Sequence, residues 1–133
     1  MFHLEDINYV AVLAATVATM ILGFLWYSPI LFGGAWMKQI GKKAEDMSGG
    51  GPLTYVLTAA TALIGSWILA AIVTLTDGTV GAGVIAGLLI GIVVSAKIGM
   101  NYLFEGRSGG LFIITSGYHV VSFLLSGLII GAM

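Results

Sequence analysis

The sequence predicts an all-α integral membrane protein, folded as one four-helix bundle. Of its 133 residues, 59% are hydrophobic and only 8% are charged, whereas soluble domains have about 25% charged residues. The apolar residues form four runs, each near the ~20 residues that a helix needs to cross about 30 Å of hydrocarbon. None of the runs alternates between apolar and polar residues as barrel strands do, so the spans are predicted to be helices.

The four predicted spans follow one another with short connections, within a single domain. They cover residues 7–27, 53–75, 80–104 and 111–130. The stretch before the first span, MFHLED, is acidic, and the apolar run is too long for a cleavable signal peptide. We therefore expect the first span to stay in the membrane. The chain has no cysteine, which excludes disulfides, thiol catalysis and cysteine-ligated metals.

The positive charges predict the orientation of the spans. Three lysines lie between the first two spans and Arg107 lies between the last two, while the other flanks have acidic residues and no lysine or arginine. Because cytoplasmic loops carry the excess of lysine and arginine, we expect loops 28–52 and 105–110 in the cytoplasm and both termini outside. Every copy then has the same orientation, so an oligomer would consist of parallel chains.

The loop after the first span has the composition of a segment at the membrane surface. Residues 30–43 mix apolar and aromatic residues with three lysines, which fits a short interfacial helix in the headgroup plane. An ordinary anchored loop is the alternative. Aromatic residues are expected where a span leaves the membrane. The predicted interface anchors are Trp26, Tyr27, Pro29, Trp36 and Arg107.

Small residues recur at every fourth position of the third span. The chain has 20 glycines, and small residues at helical spacing let helices approach closely where lipid gives no hydrophobic driving force. We expect this glycine-zipper stripe to pack against a helix of the same chain or of a neighbouring copy, and we expect self-association. The stripe consists of Gly83, Gly87, Gly91, Ser95 and Gly99, with Gly127 and Gly131 in the fourth span.

An ionisable side chain lies within the third span. Lys97, Asn101 and Glu105 are spaced four residues apart, so they share one helix face. Lys97 lies about 12 Å from Glu105 along the helix axis, and a charge at the centre of a span costs about 2.5–3.5 kcal/mol. Three interpretations stay open for Lys97: snorkelling to the headgroups, a structural polar network, or a ligand or proton site. Glu105 and Arg107 predict an ion pair at the turn.

The fourth span carries a histidine, His119, at a depth that polar residues of the other spans also reach. We expect a neutral imidazole that is hydrogen-bonded by Tyr118, Ser122 or a neighbouring helix, with a proton relay or a ligand contact as the alternative. The spans offer no second histidine and no mid-span carboxylate, so we expect no metal and no cofactor. The predicted polar layer consists of Thr19, Thr61, Lys97 and His119.

Two strings carry a resemblance to a known family. They are LGFLWYSPILFGGAWMK, residues 22–38, and NYLFEGRSGGLFIITSGYHVVSFLLSGLIIG, residues 101–131. Together they resemble a family of small bacterial membrane proteins, domain of unknown function 1761 (DUF1761). The resemblance implies a compact four-span protein in the bacterial cell (inner) membrane and gives no activity. The positions that it marks are Trp26, Tyr27, Ser28, Pro29, Trp36, Asn101, Glu105, Arg107, Tyr118 and His119.

The function that the sequence favours is that of a structural, accessory or self-assembling membrane component. Its partners would be the lipid bilayer and either further copies or a larger membrane complex, with no nucleic acid. The alternative is a small oligomeric transporter or channel for an anion or a proton-coupled solute, with Lys97 and His119 as its ionisable groups. An enzyme acting on lipid would need Glu105 close to His119, and we expect no enzymatic activity.

Overall fold

Each apolar run of the chain forms one long helix. The computed structural model describes residues 4–41 and 51–133, and within them four helices are long and apolar enough to cross a membrane. This confirms the predicted all-α membrane bundle. A short 3₁₀ turn, Leu4–Asp6, precedes the helices, which are α1 (Tyr9–Trp26), α2 (Gly33–Ile40), α3 (Gly51–Val73), α4 (Val80–Glu105) and α5 (Gly109–Ala132).

Hydrogen bonds from side chains define where the long helices begin. The side-chain oxygens of Asn8, Thr79 and Ser108 each accept a hydrogen bond of 3.1 Å from a backbone N–H in the first turn of α1, α4 and α5. Such a cap stabilises a helix by about 1 kcal/mol. Gly106 ends α4 in the left-handed conformation, with φ 70°, which glycine adopts without a steric penalty. The predicted and observed ends of the spans differ by at most two residues.

The start of α1 and the end of α5 lie at the same end of the bundle. Asn8 Nδ2 donates a hydrogen bond of 3.2 Å to the backbone oxygen of Met133, and the 74–79 turn lies at this end too. We call it the terminal end. The opposite end, which we call the basic end, holds α2, the 106–108 turn, Lys38 and Arg107. The cytoplasmic location of the basic end stays a prediction.

α4 and α5 pack with their backbones in contact. A methyl group added to Gly83 would collide with the carbonyl oxygen of Gly127, and one added to Gly127 would collide with that of Gly83. One on Gly87 would meet the carbonyl oxygen of Phe123. In this structure the small-residue stripe therefore contacts a helix of its own chain. The contact continues with Gly91 against Val120, Ser95 donating to the Ser116 carbonyl oxygen (3.4 Å), Gly99 against the Phe112 ring, and Gly131 against Val80.

α1 and α3 are close together at the terminal end and diverge towards the basic end. Near the terminal end, Ile7 and Val12 pack with Ala70 and Ala71 in a buried cluster, where the alanines allow a close approach. Towards the basic end, residues 52–58 of α3 are exposed. The divergence leaves a cleft between α1, α3 and α5.

The short helix α2 lies where the sequence predicts an interfacial helix. The Ser108 hydroxyl donates a hydrogen bond to Oε1 of Gln39, which ties α2 to the start of α5. On the other side, the rings of Tyr27 and Trp36 are 5.0 Å apart. The position of α2 at headgroup level stays a prediction. Lys42 and Lys43 of the predicted segment lie outside the described residues.

Candidate ligand site between α1, α3 and α5

The cleft between α1, α3 and α5 has a volume of about 700 Å³. Its walls are mainly apolar and aromatic, with hydroxyl groups between them. Phe24 of α1 and Tyr55 of α3 both line the cleft, are more than half exposed, and have ring centroids 6.2 Å apart. These two rings form an exposed edge of the cleft between α1 and α3, and neither was singled out from the sequence. Ligand sites in helix bundles have this size and mixed chemistry.

Two of the hydroxyl groups on the α3 wall, those of Thr58 and Thr61, are bonded within their own helix. Thr58 Oγ1 donates to the carbonyl oxygen of Thr54, and Thr61 Oγ1 donates to that of Thr58, both at 2.7 Å. Each hydroxyl has thereby used its single hydrogen and retains lone pairs that face the cleft. Thr58 and Thr61 thus present hydrogen-bond acceptors on the α3 wall.

The hydroxyl groups on the opposite wall connect α1 to α5. Tyr118 OH donates to the carbonyl oxygen of Thr19 at 3.1 Å, and the hydroxyls of Thr19 and Ser126 are 3.1 Å apart. Gly23 makes room for the tyrosine, since a methyl group there would lie 3.2 Å from the Tyr118 hydroxyl. These bonds hold the α1 and α5 walls in register.

His119 lines the cleft with its ring free of hydrogen bonds from the described residues. The predicted donors bond elsewhere, because Tyr118 bonds Thr19, and Ser122 Oγ donates to the His119 backbone oxygen at 3.0 Å. The expectation that Tyr118 or Ser122 bonds the imidazole was therefore wrong. The ring lies 5.1 Å from that of Tyr118 and is half-buried. A neutral imidazole here offers one donor and one acceptor to a molecule in the cleft.

Lys97 does not join the polar layer that the sequence predicts. Thr61 and His119 line the cleft together with Thr19, but Lys97 is exposed on another face of α4 and has no hydrogen bond or ion pair with a described residue. The reason is the position of Lys97 around the axis of α4. Gly91 faces α5, and Lys97, six residues further on, lies about 120° away around the helix. Asn101, one turn beyond Lys97, is exposed as well.

Glu105 and Arg107 belong to a second cavity, of about 490 Å³, at the basic end. Arg107 Nε lies 3.2 Å from Glu105 Oε2, in an ion pair whose side chains are about half exposed. The Arg107 guanidinium also lies 5.5 Å from the ring of Tyr102. An exposed pair contributes about 1 kcal/mol or less. The structure thus places Glu105 and His119 in separate cavities.

The predicted interface anchors lie at the basic end, and two of them line the cleft. Tyr27 and Trp36 are half-buried and line it, and Pro29 is exposed. Trp26 is half-buried and turned towards α5, where its Nε1 donates to the carbonyl oxygen of Ile114 at 2.9 Å. Its contact with α5 is internal to the bundle, a role that the aromatic-belt pattern did not reveal.

A family model described as "Protein of unknown function (DUF1761)" matches residues 10–131. The chain belongs to the DUF1761 family. The resemblance that the two strings carry is thereby confirmed. In the structure the two DUF1761 strings meet at the cleft, since Tyr27 and Trp36 come from the first string, and Tyr118 and His119 from the second. No curated protein and no solved structure matches the chain.

Proposed function

We propose that this DUF1761 protein is a structural or accessory component of the bacterial cell membrane that assembles with further membrane helices. The observation that supports it is a polar pair on the side of α4 that faces away from α5: Lys97 and Asn101 are exposed and have no partner among the described residues. Val93 lies one turn before them. We call Val93, Lys97 and Asn101 the α4 outer face. The proposal assigns no enzymatic activity, since Glu105 and His119 line separate cavities.

Polar side chains within a membrane span require partners inside protein. Ionisable residues within spans almost always face the interior of a bundle or pair with another group, and amide side chains bond across helices for about 0.6 kcal/mol on average. Here the glycine face of α4 is occupied by α5, so Lys97 and Asn101 point away from their own bundle. A neighbouring helix would bury these two side chains and supply their hydrogen-bond partners. Snorkelling of Lys97 to the headgroups is the competing explanation.

Cysteine cross-linking tests this assembly directly, because the chain has no cysteine of its own. We expect Val93→Cys, on the α4 outer face, to form a disulfide-linked product in native membranes, or a product with another protein after treatment with a thiol-to-amine reagent. Leu13→Cys, on an exposed position of α1, is the matched control and should give neither. In the Val93→Cys protein, the further substitutions Lys97→Met and Asn101→Leu should abolish the cross-linked product.

Native mass spectrometry of the gently extracted protein identifies the partner. A closed homo-oligomer indicates self-assembly, and a stoichiometric complex with a larger protein indicates an accessory subunit. A monomer, with equal cross-linking at positions 13 and 93, contradicts the proposal and leaves snorkelling as the explanation of Lys97.

A small transporter is the second candidate, favoured by the cleft and by the position of His119 in its wall. Lys97 lies outside the cleft, and none of the described lining residues is charged, so an anion would find no countercharge there. A proton-coupled neutral solute fits better. We expect any such solute flux into proteoliposomes to fall about a hundredfold or more in His119→Ala, in the range of a lost proton-transfer group, and to be unchanged in Lys97→Met. The reverse pattern would contradict this route.

A further inference from the structure

We propose that the cleft between α1, α3 and α5 binds a neutral single-chain amphiphile from the membrane, of the monoacylglycerol class, with its polar end beside His119. The proposal concerns a different surface from the α4 outer face and does not depend on assembly. Four features of the cleft support it: its volume, the lack of charged residues among its described lining residues, the chemistry of its hydroxyls and its exposed aromatic edge.

The volume fits a small amphiphile. The cleft runs along α3 from Thr54 to Ser66, twelve residues or about 18 Å, and holds about 700 Å³. At roughly 30 Å³ for each small group, this volume takes on the order of twenty non-hydrogen atoms. That is the size of a glycerol headgroup with one medium-length acyl chain.

The uncharged lining that the structure describes favours a neutral lipid over an ionic one. Among the described residues, those that line the cleft include no lysine, arginine, aspartate or glutamate. A phosphate or carboxylate taken into such a site would lose water without gaining a countercharge, which is costly in a surrounding of low polarity. A neutral headgroup avoids this cost, so fatty acids and phospholipids are disfavoured.

The hydrogen-bonding groups of the cleft complement a headgroup with several hydroxyls. Thr58, Thr61 and Tyr118 have committed their hydrogens to backbone oxygens, so they present lone pairs that accept from a ligand. His119, whose ring bonds to no described residue, provides one donor and one acceptor. A headgroup that both donates and accepts hydrogen bonds satisfies these acceptors and the imidazole. An alkane forms no hydrogen bonds with them.

The exposed edge of the cleft between α1 and α3 gives such a ligand a path from the bilayer. Phe24 and Tyr55 form this edge, at 60% and 52% exposure. Their 6.2 Å ring contact is between side chains, which move aside more easily than a backbone contact. An acyl chain can therefore enter sideways, without its headgroup crossing the bilayer.

Photocross-linking with a diazirine-bearing, medium-chain monoacylglycerol tests the site in native membranes. We expect labelling of cleft residues of α3 and α5, competed by unlabelled monoacylglycerol but not by a lysophospholipid or a fatty acid of equal length. Gly65→Leu should fill the cleft, because a methyl group there has only the Phe123 ring near it, at 3.8 Å. It should lower labelling about tenfold, which corresponds to about 1.4 kcal/mol. His119→Leu should lower it about threefold or more, as the loss of a hydrogen bond does.

Gly81→Leu is the matched control, since a methyl group on Gly81 has no neighbour within 4 Å and Gly81 does not line the cleft. Labelling of Gly81→Leu should equal that of the unmodified protein. All variants should have the same thermal midpoint of unfolding as the unmodified protein. Labelling spread over the outer faces of α1 and α4, or undiminished labelling in Gly65→Leu, would overturn the proposal. Competition by the lysophospholipid would contradict the preference of the cleft for a neutral headgroup. The Val93→Cys cross-link is scored separately, so each proposal stands or fails without the other.

Discussion

Gly127→Leu is expected to prevent α4 from packing on α5. A side chain at this position would collide with the carbonyl oxygen of Gly83 and would lie 3.4 Å from the Cα of Val84. Both obstacles are backbone atoms of a helix, which cannot rotate away as a side chain does. The two helices would have to separate along their length and give up the Gly87 and Gly91 contacts as well. We expect a loss of about 3 kcal/mol or more in the free energy of unfolding.

This effect is measured by heating the protein in mild detergent and using size-exclusion chromatography to monitor the loss of the monodisperse species. The temperature at which half of that species is lost is the thermal midpoint. Gly83→Leu should behave like Gly127→Leu, because the two glycines face one another. Gly81→Leu, two residues before Gly83 on α4, adds the same atoms where a methyl group has no neighbour within 4 Å, so its midpoint should not change. Equal midpoints for Gly127→Leu and Gly81→Leu would mean that the helices do not meet as described.

The number and ends of the spans could be predicted because they depend on local properties. Each apolar run has the length that a bilayer requires, and residues such as Ser108 fix the start of a helix by their own side chains. The partner of the glycine stripe could not be predicted. The spacing of small residues indicates that their helix approaches another helix closely. It does not indicate which helix is the partner. The 106–108 turn brings α5 back beside α4, and this fold places the stripe within the chain.

The candidate site could be predicted in part, because depth along a helix is easier to infer than rotation around it. Counting residues from the span ends placed Thr61 and His119 at similar depths, and the structure brings both to one cleft. The same count placed Lys97 with them. It failed there because Lys97 lies about 120° around α4 from the packed Gly91. The assumption that every polar residue of a span faces its own bundle does not hold for α4.

Trp26 shows why a surface pattern can hide an internal contact. An aromatic residue at the end of a span predicts a membrane anchor, and Trp26 does lie at the last residue of α1. Yet its indole N–H bonds to the Ile114 carbonyl oxygen of α5, and a methyl group on Gly117 would lie 3.0 Å from its ring. Its ring also lies 4.6 Å from that of Phe32. Trp26 thus joins α1, the loop before α2, and α5 at the basic end.

Trp26→Ala is therefore expected to destabilise the bundle by about 3 kcal/mol, the usual cost of removing a large packed aromatic side chain. Trp26→Phe should cost about 1 kcal/mol, because the ring is kept while the bond to Ile114 is lost. The thermal midpoint in detergent measures both. Trp67→Ala is the control, since Trp67 is 36% exposed on α3 and has no ring contact or hydrogen bond with a described residue; its midpoint should change little. If Trp26→Ala and Trp67→Ala lowered the midpoint equally, the two tryptophans would both be lipid-facing anchors, and α1 would be tied to α5 mainly through Thr19, Ser126 and Tyr118.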